Sequence, residues 1–137
     1  MSDCIFCKII KGEIPSYSVY EDENFKVILD RFPSSLGHTL IITKKHYDNI
    51  YKLDAAVSEK LYPLAVQMAN MLKHALNCDG INILQNNESA AGQTVDHFHL
   101  HVIPRYENDS VNINWRAKDP TGEEFENMLK LGADILR

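Results

Sequence analysis

Positive charge is in short supply in this sequence. Fourteen Lys and Arg stand against nineteen Asp and Glu, a formal net charge of −5. Such a chain lacks the cationic surface that neutralises nucleic-acid phosphates, so no nucleic-acid partner is expected. Long apolar runs are missing as well: none reaches the roughly 18 residues that span a bilayer. Met1-Ser2-Asp3-Cys4 does not carry the basic-then-hydrophobic order of a secretory leader. A soluble cytoplasmic protein with no membrane partner is expected. Cysteine is scarce, and Cys4, Cys7 and Cys78 are too unevenly placed for a disulfide framework. Cys4-x-x-Cys7 therefore reads as a reduced pair available to a metal, and Cys78 as a bystander. No internal repeat or low-complexity stretch occurs. The 137 residues, 45% of them hydrophobic, suit one domain around one core.

The informative stretch is His97-Phe98-His99-Leu100-His101-Val102-Ile103. Its strict period of two predicts a β-strand with three imidazoles on one face, successive positions about 6.5 to 7 Å apart. Burying three imidazoles without partners would cost about 1 to 3 kcal/mol for each unsatisfied group, so the triplet marks a site and not a core. Isolated histidines such as His38 and His74 read as structural or solvated. The triplet by itself leaves two chemistries open. The three rings can surround a catalytic zinc that activates water, or one neutral ring can attack phosphorus as a nucleophile.

Around the triplet the patterns alternate in type. Apolar residues at 5, 6, 9 and 10 predict a short N-terminal helix stopping at Gly12. Ser18–Glu21 and Phe25–Asp30 flank a polar turn and predict a hairpin, and Thr39–Thr43 predicts an almost wholly apolar strand. Val57, Leu61, Leu64, Met68, Leu72 and Leu76 recur at helical spacing. They predict one long helix from Asp54 to Leu76, kinked at Pro63 and ended near Gly80. Ile81–Gln85 predicts a further strand. Thr121-Gly122-Glu123-Glu124 has the form of a capping box, opening a last helix whose apolar face is Phe125, Met128, Leu129, Gly132, Ile135 and Leu136. The sum is an α+β fold, a mostly antiparallel sheet of about five strands with helices on one side and the histidines on the free face.

The triplet with its two trailing aliphatics, preceded by Gly92-Gln93-Thr94-Val95, resembles the signature of the histidine triad (HIT) family. The resemblance continues in Phe6-Cys7-Lys8-Ile9-Ile10, Gly12-Glu13-Ile14-Pro15, Val19-Tyr20-Glu21-Asp22, Gly37-His38-Thr39-Leu40 and Lys44-Lys45-His46. It spans residues 4–105, is closest to the Hint-like branch, and implies a HIT-like fold over 1–137 with a C-terminal helical extension at about 121–137. It further implies a homodimer, with the long helix at the interface, and a nucleotidyl hydrolase or transferase acting at the α-phosphate of an AMP-like purine nucleotide.

Position by position, the resemblance makes His99 the nucleophile, His101 its orienting partner and His97 the member nearest the leaving group. Asp30 matches the carboxylate that takes the ribose hydroxyls. Asn86, Gln93 and Thr94 match the polar residues around the phosphate, and Ile5, Phe6, Ile9, Ile14 and Ile28 match the walls of a base pocket. Cys4 and Cys7 with His46 and His97 complete a Cys₂His₂ set that matches the structural zinc of bacterial Hint-like proteins. No organic cofactor is implied.

Three positions depart from the family pattern. Arg31 replaces a common aliphatic, Glu88 a glycine, and Asp96 an apolar or aromatic residue. Glu88 removes a cheap positive-φ position, so a different course is expected for the loop from Asn86 to Gly92. The leading expectation is a purine nucleoside phosphoramidate hydrolase working through a nucleotidyl-histidine. Its rivals are a dinucleoside polyphosphate hydrolase, a nucleotide-binding regulatory dimer with incidental catalysis, and a three-histidine zinc hydrolase.

Overall fold

A computed structural model describes residues 3–136. The elements in chain order are α1 (Ile5–Ile10), β1 (Ser18–Glu21), β2 (Phe25–Leu29), β3 (Thr39–Thr43), α2 (Ala55–Leu76), β4 (Gly80–Leu84), β5 (His99–Arg105) and α3 (Gly122–Leu136). Two single turns of 3-10 helix, Ile50–Lys52 and Ser89–Ala91, lie in the loops. The five strands form one antiparallel sheet in the order β1-β2-β3-β5-β4. This is the α+β architecture expected, with one difference in its layering.

The two sheet faces bury different residues because side chains alternate along each strand. Phe25, Val27, Ile41, Phe98, Leu100 and Val102 meet Leu61, Leu64, Ala65, Met68 and Leu72 of α2. Burying each of the larger of these side chains contributes about 1.5 to 3 kcal/mol. On the opposite face, Ile28, Leu40 and Ile42 pack against Phe6 and Ile9 of α1. The histidine face is thus covered by the N-terminal helix and is not free, which corrects the one-sided expectation. Six residues of α1 bring Phe6, Cys7 and Ile9 to that face, and all three are buried.

Local chemistry sets the element ends. Asp54 caps α2 by accepting from the Ala56 N–H at 3.0 Å. Pro63 is tolerated because it sits on the exposed face of α2, where the carbonyl it leaves unpaired can meet water. The helix ends at Asn77 in the left-handed conformation, φ 49°, not at Gly80, which opens β4. Thr121 and Glu124 exchange the capping-box bonds of α3: the Glu124 N–H donates to Thr121 Oγ1 at 3.2 Å and the Thr121 N–H to Glu124 Oε1 at 3.0 Å. Gly37, at φ 94°, is required twice over. A side chain there would be strained and would run into Leu76 and Pro104.

Beyond β5 the chain is tied down by Arg105. Its guanidinium grips both oxygens of Asp109, at 2.8 and 2.9 Å, and donates to Asn82 Oδ1 at 2.8 Å. None of the residues of α3 is buried. No helix among the described residues is long and apolar enough to cross a membrane.

Candidate active site and metal centre

β5 begins at His99, so only His99 and His101 of the triplet lie in the strand, and His97 sits on the bend before it. Register places Ile42 of β3 opposite His99 and Leu40 opposite His101, with Ile28 of β2 opposite Leu40. One row across the histidine face therefore runs Ile28–Leu40–His101, about two strand spacings or roughly 10 Å long. The His99 and His101 rings lie 5.0 Å apart, centroid to centroid. Phe6 meets both His97 and His99 edge-on, at 5.9 and 4.9 Å.

The hydrogen-bond partners decide where each imidazole proton sits. His99 Nδ1 is 2.7 Å from the His97 carbonyl oxygen. A carbonyl only accepts, so Nδ1 carries the hydrogen and Nε2 keeps its lone pair. His38 Nδ1 accepts from the Ser34 N–H at 3.1 Å, which puts the His38 hydrogen on Nε2. That nitrogen lies 2.9 Å from His101 Nδ1 and 3.4 Å from Asp30 Oδ2. His101 Nδ1 accepts in turn and holds its hydrogen on Nε2. The same logic removes His38 from any metal set with Asp30 and His101, although their ligand atoms are close enough for one. Its nitrogen facing them is a donor.

Burial, the largest effect, keeps these rings neutral. It pushes His101 down to about 4, helped by His99 and His38 nearby and opposed by Asp30. His97 is likewise held at about 4, against the hydrogen bond to the Thr43 carbonyl. His99 and His38 are lowered by burial, with Asp30 pulling both back upward. Unprotonated rings at neutral pH are what nucleophilic attack requires.

The His97 ring faces the other way. Its Nε2 donates to the Thr43 carbonyl at 2.6 Å, leaving the Nδ1 lone pair directed at Cys4 Sγ and Cys7 Sγ, 3.3 and 3.5 Å away. His46 repeats the arrangement, with Nε2 on Asp48 Oδ1 at 2.9 Å and Nδ1 3.4 Å from Cys7 Sγ. The four ligand atoms lie within 4.8 Å of one another. Two sulfurs and two imidazole lone pairs, each imidazole anchored through its far nitrogen, make a donor set and outer shell that could hold a metal ion tetrahedrally. The three triplet rings, by contrast, do not converge. Both His97 nitrogens are engaged away from His99, which overturns the three-histidine zinc arrangement.

A cavity of about 410 Å³ opens beside β2, lined by Ile5, Ile9, Ile14, Ile28, Tyr17 and Phe32 among others. Of the expected base-pocket residues, Phe6 alone is absent from its lining, being buried against the histidines. Asp30 sits between cavity and triplet, its Oδ1 accepting from the Phe32 N–H at 3.0 Å. Thr94 and Asp96 line a separate hollow with Cys4, His46 and Asp48. Asn86 donates to the Gly92 carbonyl at 3.4 Å. Gln93 is buried and ties its own loop to the segment after β3, accepting from the Glu88 N–H and donating to the Asp48 and Val95 carbonyls. His38 is the residue that sequence reasoning passed over. Its parity with Leu40 and Ile42 was the available signal, legible only once β3 is paired with β5.

The HIT domain family model matches residues 11–108. The chain belongs to the HIT family. Within its Hint-like branch, the chain is 37% identical over 134 residues to the adenosine 5'-monophosphoramidase HNT1 of Saccharomyces cerevisiae, covering 97% of this chain and 80% of that one. A HIT family protein from Bacillus anthracis superposes with a TM-score of 0.91 at 40% identity, over 98% of each chain. A Zn-bound histidine triad family protein from Mycobacterium smegmatis matches with a TM-score of 0.77 at 36% identity, over 98% of this chain and 96% of that one.

Proposed function

We propose that this HIT protein hydrolyses purine nucleoside phosphoramidates at the α-phosphate, through a covalent nucleotidyl-His99 intermediate. The observation that carries the reading is the 2.7 Å bond from His99 Nδ1 to the His97 carbonyl, which leaves Nε2 unprotonated. In the first step His99 Nε2 bonds to phosphorus as the phosphorus–nitrogen bond breaks, and the leaving nitrogen takes up a proton from solvent, which the attacking water returns in the second step. In the second, water displaces the imidazole, releasing the nucleoside monophosphate and restoring His99. His101, holding its hydrogen on Nε2, donates to a phosphate oxygen. The cavity takes the base and Asp30 the ribose hydroxyls. The monophosphoramidase name of the yeast relative supports this substrate class.

Cys4, Cys7, His46 and His97 would hold one structural zinc. When bound, it cross-links α1 to the loop before β5 and takes no part in the reaction. The same reading makes residues 1–137 one HIT domain with a helical extension. A homodimer is supported by Tyr62 and Val66 of α2, which lie exposed beside a small hollow reaching Ile83 of the edge strand β4. Three unpaired thiols suit the reducing cytoplasm.

The test is mass spectrometry after brief mixing with an adenosine phosphoramidate. A nucleotidyl adduct on His99 is expected, with turnover lost at least ~10³-fold in His99→Ala. An adduct confined to another residue, or full turnover in the variant, would end this reading. Parallel turnover of a diadenosine polyphosphate separates the two hydrolase classes.

A further inference from the structure

The cavity beside β2 is lined mostly by apolar side chains, with the Ser16 and Tyr17 hydroxyls as its uncharged polar groups. Ile5, Ile9, Ile14, Ile28 and Leu29 line it, and Arg31 is the one charged side chain among its lining residues. Arg31 follows Asp30 directly, yet the two serve different purposes. Asp30 turns its carboxylate to His38 and to the Phe32 N–H, whereas Arg31 forms no ion pair among the described residues. Its guanidinium instead lies 5.5 Å from the centroid of the Phe32 ring, on which it is held by the ring's negative face. Phe32 is itself 85% exposed. A positively charged, flat donor group is thus parked beside an apolar slot, with no side-chain hydrogen bond or ion pair among the described residues.

A guanidinium offers donors only. Guanine presents two adjacent acceptors on its outer edge, O6 and N7, which match two guanidinium N–H groups. Adenine presents N7 beside the N6 amino group, and that amino group opposes a guanidinium N–H. Among the described residues no carboxylate lines the cavity to receive the adenine amino group. We propose that Arg31 reads the edge of the base and makes this chain prefer a guanine nucleotide over an adenine nucleotide. The inference rests on the cavity being the base pocket of the proposed function.

Calorimetric titration of the full chain with GMP and with AMP tests it, repeated with Arg31→Leu and Arg31→Lys. A bidentate pair discriminates by roughly five- to 150-fold, so GMP is expected to bind about tenfold tighter than AMP. Arg31→Leu should bring the two affinities together by weakening GMP while leaving AMP nearly unchanged. Arg31→Lys, which keeps the charge without the fork, should lose most of the preference. Equal binding of the two nucleotides by the native chain overturns the inference. So does a preference that survives Arg31→Leu, or an equal weakening of both nucleotides, which would make Arg31 a stacking or charge contact. Failure of both nucleotides to bind removes the nucleotide reading itself, a result distinct from any of these.

Discussion

His97 and His99 stand two residues apart and present their rings to two different clusters through one peptide segment. The His97 carbonyl accepts the His99 Nδ1 hydrogen at 2.7 Å, while the His97 ring aims Nδ1 at the cysteine pair. A group that fixes the His97 ring therefore also steadies the acceptor that sets the His99 tautomer.

Metal binding is measurable apart from catalysis. The purified protein is expected to carry about one zinc per chain, and Cys4→Ser to lose most of it, with a lowered thermal midpoint. Elemental analysis and thermal unfolding check this. Unchanged zinc content and unchanged folding in Cys4→Ser would remove the metal site from the account.

His38 acts at one remove. Its Nε2 donates to His101 Nδ1 at 2.9 Å, and the Ser34 N–H holds the ring in that sense. Replacing it with alanine frees His101 to adopt the other tautomer, with its lone pair turned toward the phosphate. The expected outcome for His38→Ala is a fall of roughly 10²-fold in kcat with little change in KM. A loss confined to KM would instead make His38 a part of the binding surface.

Much of this was legible beforehand, and the exceptions have physical reasons. Alternation over Phe98–Val102 identified the strand and its parity, since Leu100 and Val102 do face α2. Alternation does not say where the ladder begins, and cross-strand pairing starts at Ile42–His99, leaving His97 on a bend. The period of α1 was readable, but not the sheet face it would cover, because a six-residue helix with one apolar stripe suits either face. The resemblance sets Gln93 among the polar residues around the phosphate. Three backbone groups partner its amide, one of them the distant Asp48 carbonyl, which no local pattern reveals.

Acid should weaken the fold through the same burial that keeps the rings neutral. His101 titrates at about 4 in the folded chain and near its ordinary value of 6.5 when unfolded. Between those values the unfolded state binds the extra proton, so stability rises with pH across the window. It is complete above 6.5 and is lost as pH falls toward 4. The loss by pH 5 is on the order of 2 kcal/mol for this ring. Urea unfolding at pH 7 and pH 5 measures it, and His101→Asn should flatten the difference. An unchanged slope in that variant would mean that other groups carry the acid sensitivity.

Glu88 stores strain that can be released. The chain keeps positive φ at this position, φ 72° and ψ 160°, a region open essentially to glycine alone, so the loop bends there despite the side chain. What holds it are its N–H bond to Gln93 Oε1 at 2.7 Å and its carbonyl, which accepts from the Ala91 and Gln93 N–H groups at 3.1 Å each. All three bonds use backbone atoms of residue 88 and survive a change of side chain. The Tyr51 hydroxyl contact to Glu88 Oε2, at 3.5 Å and exposed, contributes little. Glu88→Gly is therefore expected to stabilise the protein by about 1 kcal/mol, the relieved strain less the added chain entropy of glycine. That corresponds to a rise of about 3 °C in the thermal midpoint. A fall would show that the side chain is needed in the loop, and that the backbone is not strained enough to outweigh it.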